Sequence, residues 1–280
     1  MTAPLHVSLV QVGYGDDEST ADRVSRVVEM LESVPSSDLV VLPELWASGA
    51  FAFDAWSVED GFPNSSTVRR LAQVAARRNF WVHCGTFIEG AAVGADRGPE
   101  GRGLWNTAVL VSPEGEVSLT YRKIHRFGFG DGEALLLEAG SRLALLDARF
   151  GQSYMRVGLA TCYDLRFPEM FRSLARNGVG LTMVPAAWPL TRVAHWQLLG
   201  QARAIENQAW MLQCNTAGTH RGLTMGGHSQ VVAPTGEVVG ALGIEEGVLS
   251  LEIDLDLVTE TRQGFPVLQD QRAVAWSVRP

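Results

Sequence analysis

The sequence predicts an α/β protein with a mixed sheet in a single domain, and three observations lead to this prediction. Short β-type runs alternate with amphipathic helical segments from end to end of the 280 residues. The turn signals of Ser112–Gly115 predict a hairpin, which places antiparallel strands beside parallel ones. No linker, internal repeat or low-complexity tract divides the chain, and 280 residues can share one hydrophobic core. We therefore expect residues 1–280 to form one domain.

The elements of the first half follow from periodicity and capping residues. His6–Gln11 has the alternation of a strand, and Thr20–Val34 has a helical apolar face preceded by Ser19, a suitable N-cap. Asp38–Leu42 is an apolar strand that ends at Pro43 and Glu44. The remaining elements are an amphipathic helix and three strands: Ser66–Arg78, then Phe80–Glu89, Leu104–Val111 and Glu116–Lys123.

Residues 124–141 interrupt the alternation. This segment is an apolar, glycine-bearing loop that contains Phe127, Gly128, Phe129, Gly130 and Gly132. Long ordered loops inside a compact domain are usually functional. The alternation then resumes with two predicted helices and six predicted strands. The helices are Pro168–Asn177 and Arg192–Asn207, and the strands are Leu143–Asp147, Met155–Thr161, Val179–Val184, Trp210–Asn215, His228–Ala233 and Gly247–Ile253.

Composition and charge exclude several classes of protein. With 46% hydrophobic and 19% charged residues, the chain has a globular composition. Its formal net charge of −8 disfavours nucleic acid as a partner, because neutralising phosphates needs clustered basic residues. No apolar run approaches the roughly 20 residues of a membrane span, and the N-terminus lacks the basic start and long apolar stretch of a signal peptide. We expect a cytoplasmic protein with no nucleic-acid or membrane partner.

The three cysteines are widely spaced and odd in number, which favours free thiols over a disulfide framework or a zinc site. Cys84 and Cys214 lie within predicted strands and are expected to be buried. Cys162 lies at a strand-to-helix turn, where Pro168 begins the next helix. Such a turn can aim backbone N–H groups at the side chain, which favours a thiolate and can stabilise an oxyanion. Position alone leaves Cys162 open between a nucleophile and a core residue.

Two further strand ends carry reactive groups. The 23 basic residues include a single lysine, Lys123, so the other 22 are arginines, and an amine is compact where a guanidinium is planar. Glu44 follows a buried strand, where a carboxylate can act as a general base or can simply accept nearby N–H groups. A carboxylate, an amine and a thiol thus each end a different strand, and sites in α/β folds assemble at strand ends.

The sequence contexts of these three residues, taken together and in this order, resemble the Glu-Lys-Cys motifs of the nitrilase or carbon-nitrogen hydrolase superfamily. The segment Cys162–Glu169 is most similar to the amidase and omega-amidase-like branches, whereas true nitrilases more often continue with Trp-Glu. The resemblance implies a four-layer α-β-β-α sandwich of the nitrilase type with mixed sheets, commonly assembled as a homodimer or larger homo-oligomer. The motifs and further matches are Leu42–Glu44, Tyr121–His125, Thr161–Glu169, Ala187–Pro189, His195–Trp196 and Ala202–Gln208.

The resemblance also implies an activity. The expected enzyme cleaves the C–N bond of a small aliphatic or omega-amide, giving a carboxylic acid and ammonia through a cysteine thioester. Cys162 would be the nucleophile and Glu44 the base, while Lys123 and the Tyr163 backbone N–H would hold the oxyanion. No cofactor and no metal are expected.

Three secondary assignments complete the predicted site. Many family members carry a second glutamate between the lysine and the cysteine, and the apolar loop followed by Glu-small-Gly points to Glu138, with Glu133 as the rival. Trp188, which follows a strand end beside Pro189, is the predicted substrate-binding residue. His125 is expected to make structural hydrogen bonds.

Two other functions remain compatible with the sequence. An N-carbamoyl amino acid amidohydrolase would use the same three residues and would also need a cation for the substrate carboxylate. Arg166, Arg192 and Arg203 are available, but each is expected to pair with a local acid such as Glu169 or Glu206. The other alternative is a non-catalytic scaffold with the same fold.

Overall fold

Two six-stranded sheets pack face to face between helices, as seen in a computed structural model that describes residues 4–56, 58, 61–129 and 131–272. Gly130 of the predicted loop lies outside the described residues. The first half of the chain contains β1 (Leu5–Gln11), α1 (Thr20–Ser33), β2 (Leu39–Val41), α2 (Ser66–Arg78), β3 (Trp81–Gly90), β4 (Leu104–Val111), β5 (Val117–Arg122) and α3 (Gly132–Leu136).

The second half of the chain builds the second sheet and returns one strand to the first. Its elements are β6 (Ala144–Phe150), β7 (Ser153–Leu159), α4 (Pro168–Arg176), β8 (Leu181–Ala186), α5 (Val193–Asn207), β9 (Trp210–Asn215), β10 (Thr219–His220), β11 (Leu223–Thr224), β12 (Gln230–Val232), β13 (Val238–Ala241), β14 (Gly247–Ile253) and α6 (Asp256–Gly264).

The two sheets share one plan. The first has the order β14-β1-β2-β3-β4-β5 and the second the order β13-β12-β9-β8-β7-β6. Each has three parallel strands at its centre, β1 to β3 and β7 to β9, flanked by antiparallel strands. Strand patterning alone predicted a single mixed sheet, because periodicity does not encode which strands pair. The sandwich implied by the resemblance is confirmed.

Side-chain alternation along the central strands divides the interior into separate cores. In β1, Val7 and Leu9 belong to the core that the two sheets share, whereas Val10 packs in a second core with α1 and α2. The α1 residues Val27 and Leu31 belong to that second core. Because successive strand residues point to opposite faces, a buried sheet can contact a helix layer on one side and a sheet on the other. This produces the four layers.

Capping residues set the helix boundaries, and the predicted N-cap Ser19 is one of them. Ser19 Oγ accepts from the Asp22 N–H at 3.2 Å and begins α1, and Ser65 Oγ accepts from the Val68 N–H at 3.2 Å and begins α2. Asn79 ends α2 in the left-handed conformation at φ +55°. No helix in the described part of the chain is both long and apolar enough to cross a membrane.

Several short features were not predicted, among them the following three. The loop at 124–141 contains the single turn α3, a short hairpin joins β10 to β11, and α6 follows β14. Each is too short or too exposed to leave a periodic signal: among the residues of α6 only Val258 is buried. Of these, α3 bears directly on the site, because it carries Glu133.

Candidate active site

The predicted carboxylate, amine and thiol come together at one edge of the sandwich. Strand β5 runs in the same direction as β2, so Glu44 after β2 and Lys123 after β5 lie at the same edge of the first sheet. Cys162 follows β7 and Ala187 follows β8, both in the second sheet. All four residues line the same cavity. The site is therefore assembled from both sheets.

The ammonium of Lys123 is the centre of this cluster. The side chain is 2% exposed, and Nζ donates to Glu44 Oε1 and to Glu133 Oε2, each at 2.7 Å. Burial alone lowers the pKa of Lys123, but the charges of Glu133 and Glu44 outweigh it and raise the pKa well above its ordinary value. An ammonium has three N–H bonds, so one remains to donate after both carboxylates are satisfied.

Glu44 is held on every side. Its Oε1 also accepts from Asn106 Nδ2 at 2.9 Å, and its Oε2 accepts from the Ala187 N–H at 2.9 Å. The thiol of Cys162 lies close enough for this carboxylate to raise its pKa. This arrangement places a fixed, buried acceptor beside the thiol, which is the geometry of a general base.

Asn106 is a site residue that sequence reasoning missed. Its Nδ2 donates to Glu44 Oε1 at 2.9 Å and to Glu133 Oε1 at 2.6 Å, so one amide joins the two carboxylates. The residue lies inside β4 and its backbone carbonyl accepts from the Lys123 N–H at 2.8 Å. An asparagine inside a strand of otherwise apolar character was the available signal, because buried amides need partners.

Glu133, and not Glu138, contacts the lysine. Besides Lys123 and Asn106, the Glu133 carboxylate accepts from the Phe127 N–H at 2.8 Å. Burial raises the pKa of Glu133, Lys123 opposes this and Glu44 adds to it. The sequence left Glu138 and Glu133 as alternatives, and the structure places Glu133 in the site.

Glu138, the predicted second glutamate, has a different set of partners. Its Oε1 accepts from the Arg102 N–H at 2.7 Å and its Oε2 from the Glu100 N–H at 3.2 Å. The prediction that Glu138 orients Lys123 was therefore wrong. The two glutamates are five positions apart in the sequence. The turn of α3 directs the first inward, while the second, after the helix, binds the neighbouring loop. Spacing along the sequence does not contain this information.

Cys162 begins a 3-10 helix, Cys162–Arg166, in the left-handed conformation at φ +44°. A non-glycine residue held there stores roughly 1–3 kcal/mol of strain, a feature that clusters at functional sites. Burial raises the pKa of the thiol well above its ordinary value, Glu44 adds to the effect and Lys123 opposes it. The expected thiolate is therefore not the resting form. Tyr163, in the first turn, has an N–H with no acceptor inside the helix.

The other cysteines occupy structural positions. Cys84 and Cys214 are fully buried in strands, and burial raises the pKa of both. Cys214 Sγ donates to the carbonyls of Val10 at 3.3 Å and Val41 at 3.2 Å, which lie in the opposite sheet. Within the described ranges, no group of three or more His, Cys, Asp or Glu side chains could hold a metal ion.

Aromatic side chains and two arginines complete the cavity. Trp188 is buried, and Arg166 lies over its ring with Cζ 4.6 Å from the centroid. Arg192 lies over Phe127 at 5.6 Å, and Arg166 is within 3.5 Å of His195 Nδ1. The other aromatic lining residues are Phe51, Phe53 and Tyr163.

The two cavity arginines have no carboxylate partner among the described residues, contrary to the sequence prediction. Only Arg203 pairs as expected, with Glu206 at 2.8 Å. Burial lowers the pKa of Arg166, Tyr163 opposes this, and the neighbouring guanidinium of Arg192 lowers it further. Two adjacent unneutralised cations in an apolar cavity favour binding of an anion.

Comparisons with known proteins agree with this geometry. A family model described as carbon-nitrogen hydrolase matches residues 6–263. The chain is 41% identical over 277 residues to 2-oxoglutaramate amidase of Paenarthrobacter nicotinovorans, covering 98% of this chain and 92% of that one. A CN-hydrolase superfamily protein of Xanthomonas campestris superimposes with a TM-score of 0.82 at 28% identity, covering 99% of this chain and all of the other (100%).

A third relative bears on the cysteine. A mutant of the amidase from Nesterenkonia sp. AN1 superimposes with a TM-score of 0.77 at 26% identity, covering 96% of this chain and 94% of that one. Its structure shows covalent addition of the acetamide moiety of fluoroacetamide at the active site cysteine.

Selective alkylation tests the environments of the three thiols. Iodoacetamide should label Cys162, which faces the cavity, and leave Cys84 and Cys214 unlabelled in the folded protein. Because the thiol pKa is raised, the labelling rate should keep increasing from neutral to alkaline pH. Peptide mass mapping of samples quenched at several pH values measures this, with Cys162→Ala as the control. Equal labelling of Cys84 would contradict the assignment.

A pair of glutamine substitutions separates the two glutamates. Glu133→Gln removes the charge that faces Lys123, and turnover should fall by about 100-fold or more, comparable to the loss of one electrostatic donor in an active site. Glu138→Gln is the matched control, a buried carboxylate of the same loop, and should leave turnover close to wild type. Steady-state kinetics on both folded variants measures the two turnover numbers. A larger loss of turnover in Glu138→Gln than in Glu133→Gln would assign the role of orienting Lys123 to Glu138.

Proposed function

The chain belongs to the carbon-nitrogen hydrolase family and is an amidase that hydrolyses the C–N bond of a small amide, and we propose that its substrate is the omega-amide of a short 2-oxo dicarboxylic acid, such as 2-oxoglutaramate. The observation that carries this proposal is the pair of unneutralised guanidiniums, Arg166 and Arg192, in the cavity that also contains Cys162. A substrate with an amide at one end and a carboxylate at the other fits this distribution of charge.

Acylation follows from the contacts of Glu44. The carboxylate takes the proton of the Cys162 thiol as the sulfur forms a bond to the amide carbon, and the carbonyl electrons move to oxygen. The free N–H of Lys123 and the Tyr163 backbone N–H donate to that oxyanion. The intermediate collapses, the C–N bond breaks, and the nitrogen leaves as ammonia with the proton that Glu44 had accepted. A thioester remains.

Deacylation uses the same carboxylate in the opposite order. Glu44 takes a proton from a water molecule whose oxygen attacks the thioester carbon, again forming an oxyanion at Lys123 and Tyr163. The C–S bond breaks, the sulfur regains the proton from Glu44, and the carboxylic acid leaves. Glu133 and Asn106 stay unchanged and keep the ammonium and the base in register. Neither a metal nor an organic cofactor takes part in these steps.

The cavity walls support a short, flat substrate. Trp188 and Phe127 each lie beneath a guanidinium, so they hold Arg166 and Arg192 while presenting apolar surface to the substrate chain. An arginine so placed offers a planar fork for a carboxylate. The relative of Paenarthrobacter nicotinovorans, 41% identical to this chain, is a 2-oxoglutaramate amidase, which supports the same chemistry here.

We also propose a homodimer that acts in the cytoplasm. On α5, Leu198 is 65% exposed and Ile205 is 53% exposed, and neighbouring apolar side chains on one helix favour an interface. The three thiols are all free, as in a reducing compartment.

Leu198→Glu should shift the sedimentation coefficient from that of a dimer to that of a monomer. A wild-type monomer in sedimentation, or recovery of the native protein from an oxidising compartment on cell fractionation, would contradict this proposal.

A substrate panel tests the carboxylate site. Ammonia release should be fastest with 2-oxoglutaramate and slower with a short neutral amide. Arg166→Gln should raise KM for 2-oxoglutaramate by about 10-fold to 100-fold, the loss of one charged hydrogen bond, and should leave the neutral amide unaffected. Arg149→Gln, on the exposed part of β6, is the control. Preference for an N-carbamoyl amino acid, which carries the same carboxylate, would assign the alternative activity.

Lys123→Arg tests the oxyanion assignment. The variant keeps the positive charge but replaces a compact ammonium by a planar guanidinium that would occupy the place of the substrate carbonyl. Turnover should fall by about 100-fold to 1000-fold, as when an oxyanion donor is lost. Circular dichroism must show that the variant is folded. Near wild-type turnover in a folded variant would mean that the amine holds no oxyanion.

A further inference from the structure

The catalytic steps do not use Asp164, yet its carboxylate is one of the most fully bonded groups in the molecule. The residue lies two positions after Cys162 in the 3-10 helix and is completely buried. Its Oδ2 accepts from the Tyr121 hydroxyl at 2.7 Å and the Thr161 N–H at 2.8 Å. Its Oδ1 accepts from the backbone N–H of His125 at 2.9 Å and lies 2.8 Å from the ring Nδ1.

These donors come from two different sheets. Thr161 precedes the nucleophile at the end of β7 in the second sheet. Tyr121 and His125 lie two residues before and two residues after Lys123, at the end of β5 in the first sheet. One carboxylate therefore connects the turn of the nucleophile to both flanks of the lysine. Separate hydrogen bonds tie the lysine backbone only to β4 and to Gly140.

Further contacts stiffen this connection. The Tyr121 hydroxyl accepts from the Ile124 N–H at 3.1 Å, which fixes the hydroxyl. The His125 ring stacks on Phe167 with centroids 3.7 Å apart, so the histidine is held against the end of the same 3-10 helix. The Asp164 N–H donates to the Thr161 carbonyl at 3.0 Å and closes the turn in which Cys162 has a positive φ.

From this geometry we propose that Asp164 is a positioning residue that sets the separation between Cys162 Sγ and Lys123 Nζ across the two sheets. The proposal rests on the catalytic roles proposed for those two residues and not on the identity of the amide. The ammonium stabilises the thiolate by its charge, and a Coulomb interaction weakens as two charges separate. Loosening the connection should therefore make the thiolate harder to form as well as slow turnover.

Asp164→Asn tests the proposal with almost no change of shape. The amide can still accept from His125, but it presents an NH₂ group to the Thr161 N–H, so one side of the connection opens. We expect kcat to fall by about 10-fold to 100-fold, as for a displacement of reacting groups by about 1 Å, while KM stays near wild type. The pH profile of Cys162 alkylation by iodoacetamide should move to higher pH. Loss of a merely structural contact would lower thermal stability without moving that profile.

Two further variants make the test decisive. Tyr121→Phe removes a single hydroxyl and should move both readouts in the same direction by a smaller amount. It decides alone if Asp164→Asn does not fold. Glu138→Gln, another buried carboxylate that accepts two backbone N–H groups, should leave the alkylation profile unchanged.

The outcomes separate the two proposals. A folded Asp164→Asn or, failing that, a folded Tyr121→Phe with the wild-type alkylation profile and kcat would overturn the role of Asp164. If the wild-type protein releases no ammonia from 2-oxoglutaramate, the proposed substrate is overturned. If the alkylation profile still shifts when Asp164 is substituted, the positioning role is supported all the same.

Discussion

The buried ammonium of Lys123, held between Glu44 and Glu133, is the interaction on which the rest of the site depends. Removing one cation and two carboxylates from water is expensive unless every lone pair and proton finds a partner. Asn106, the Ala187 N–H and the Phe127 N–H supply those partners, from β4, the end of β8 and the loop before α3. Three separate parts of the fold are thereby fixed relative to one amine.

The four-layer sandwich explains how such a cluster can be both buried and reachable. The central strands of each sheet are buried on both faces, so their ends are the parts that approach solvent. The ends of β2, β5, β7 and β8 converge at the same edge. Glu44 and Lys123 come from one sheet, and Cys162 and Ala187 from the other. The site therefore exists only where the two sheets are correctly registered, and the proposed role of Asp164 makes a contact between the sheets part of that registration.

The sequence predicted what periodicity and residue type encode. Strands such as Trp210–Asn215 and Gly247–Ile253 have the predicted bounds, and the three reactive strand ends meet as expected. Properties that depend on direction were not predictable. The choice between Glu133 and Glu138 depends on one turn of helix. The role of Asn106 depends on which carboxylates its side chain reaches from β4. Whether Arg166 and Arg192 are neutralised depends on which acids lie near them in space. Residue-based patterning also gave no means of dividing the strands between two sheets.

Charge balance links the resting site to its reaction. Burial and the negative charge of Glu44 raise the pKa of the Cys162 thiol and outweigh the opposing effect of Lys123, so the thiol keeps its proton in the resting site. In the proposed mechanism, that proton moves to Glu44, and the negative charge passes to sulfur and then to the substrate oxygen beside Lys123, so the total charge of the cluster does not change. In a cavity of low dielectric, shifting a charge over a short distance costs far less than creating one. In the proposed reaction, the arginines at the other side of the cavity would offset the carboxylate of the substrate, so substrate binding would add no uncompensated charge to the site.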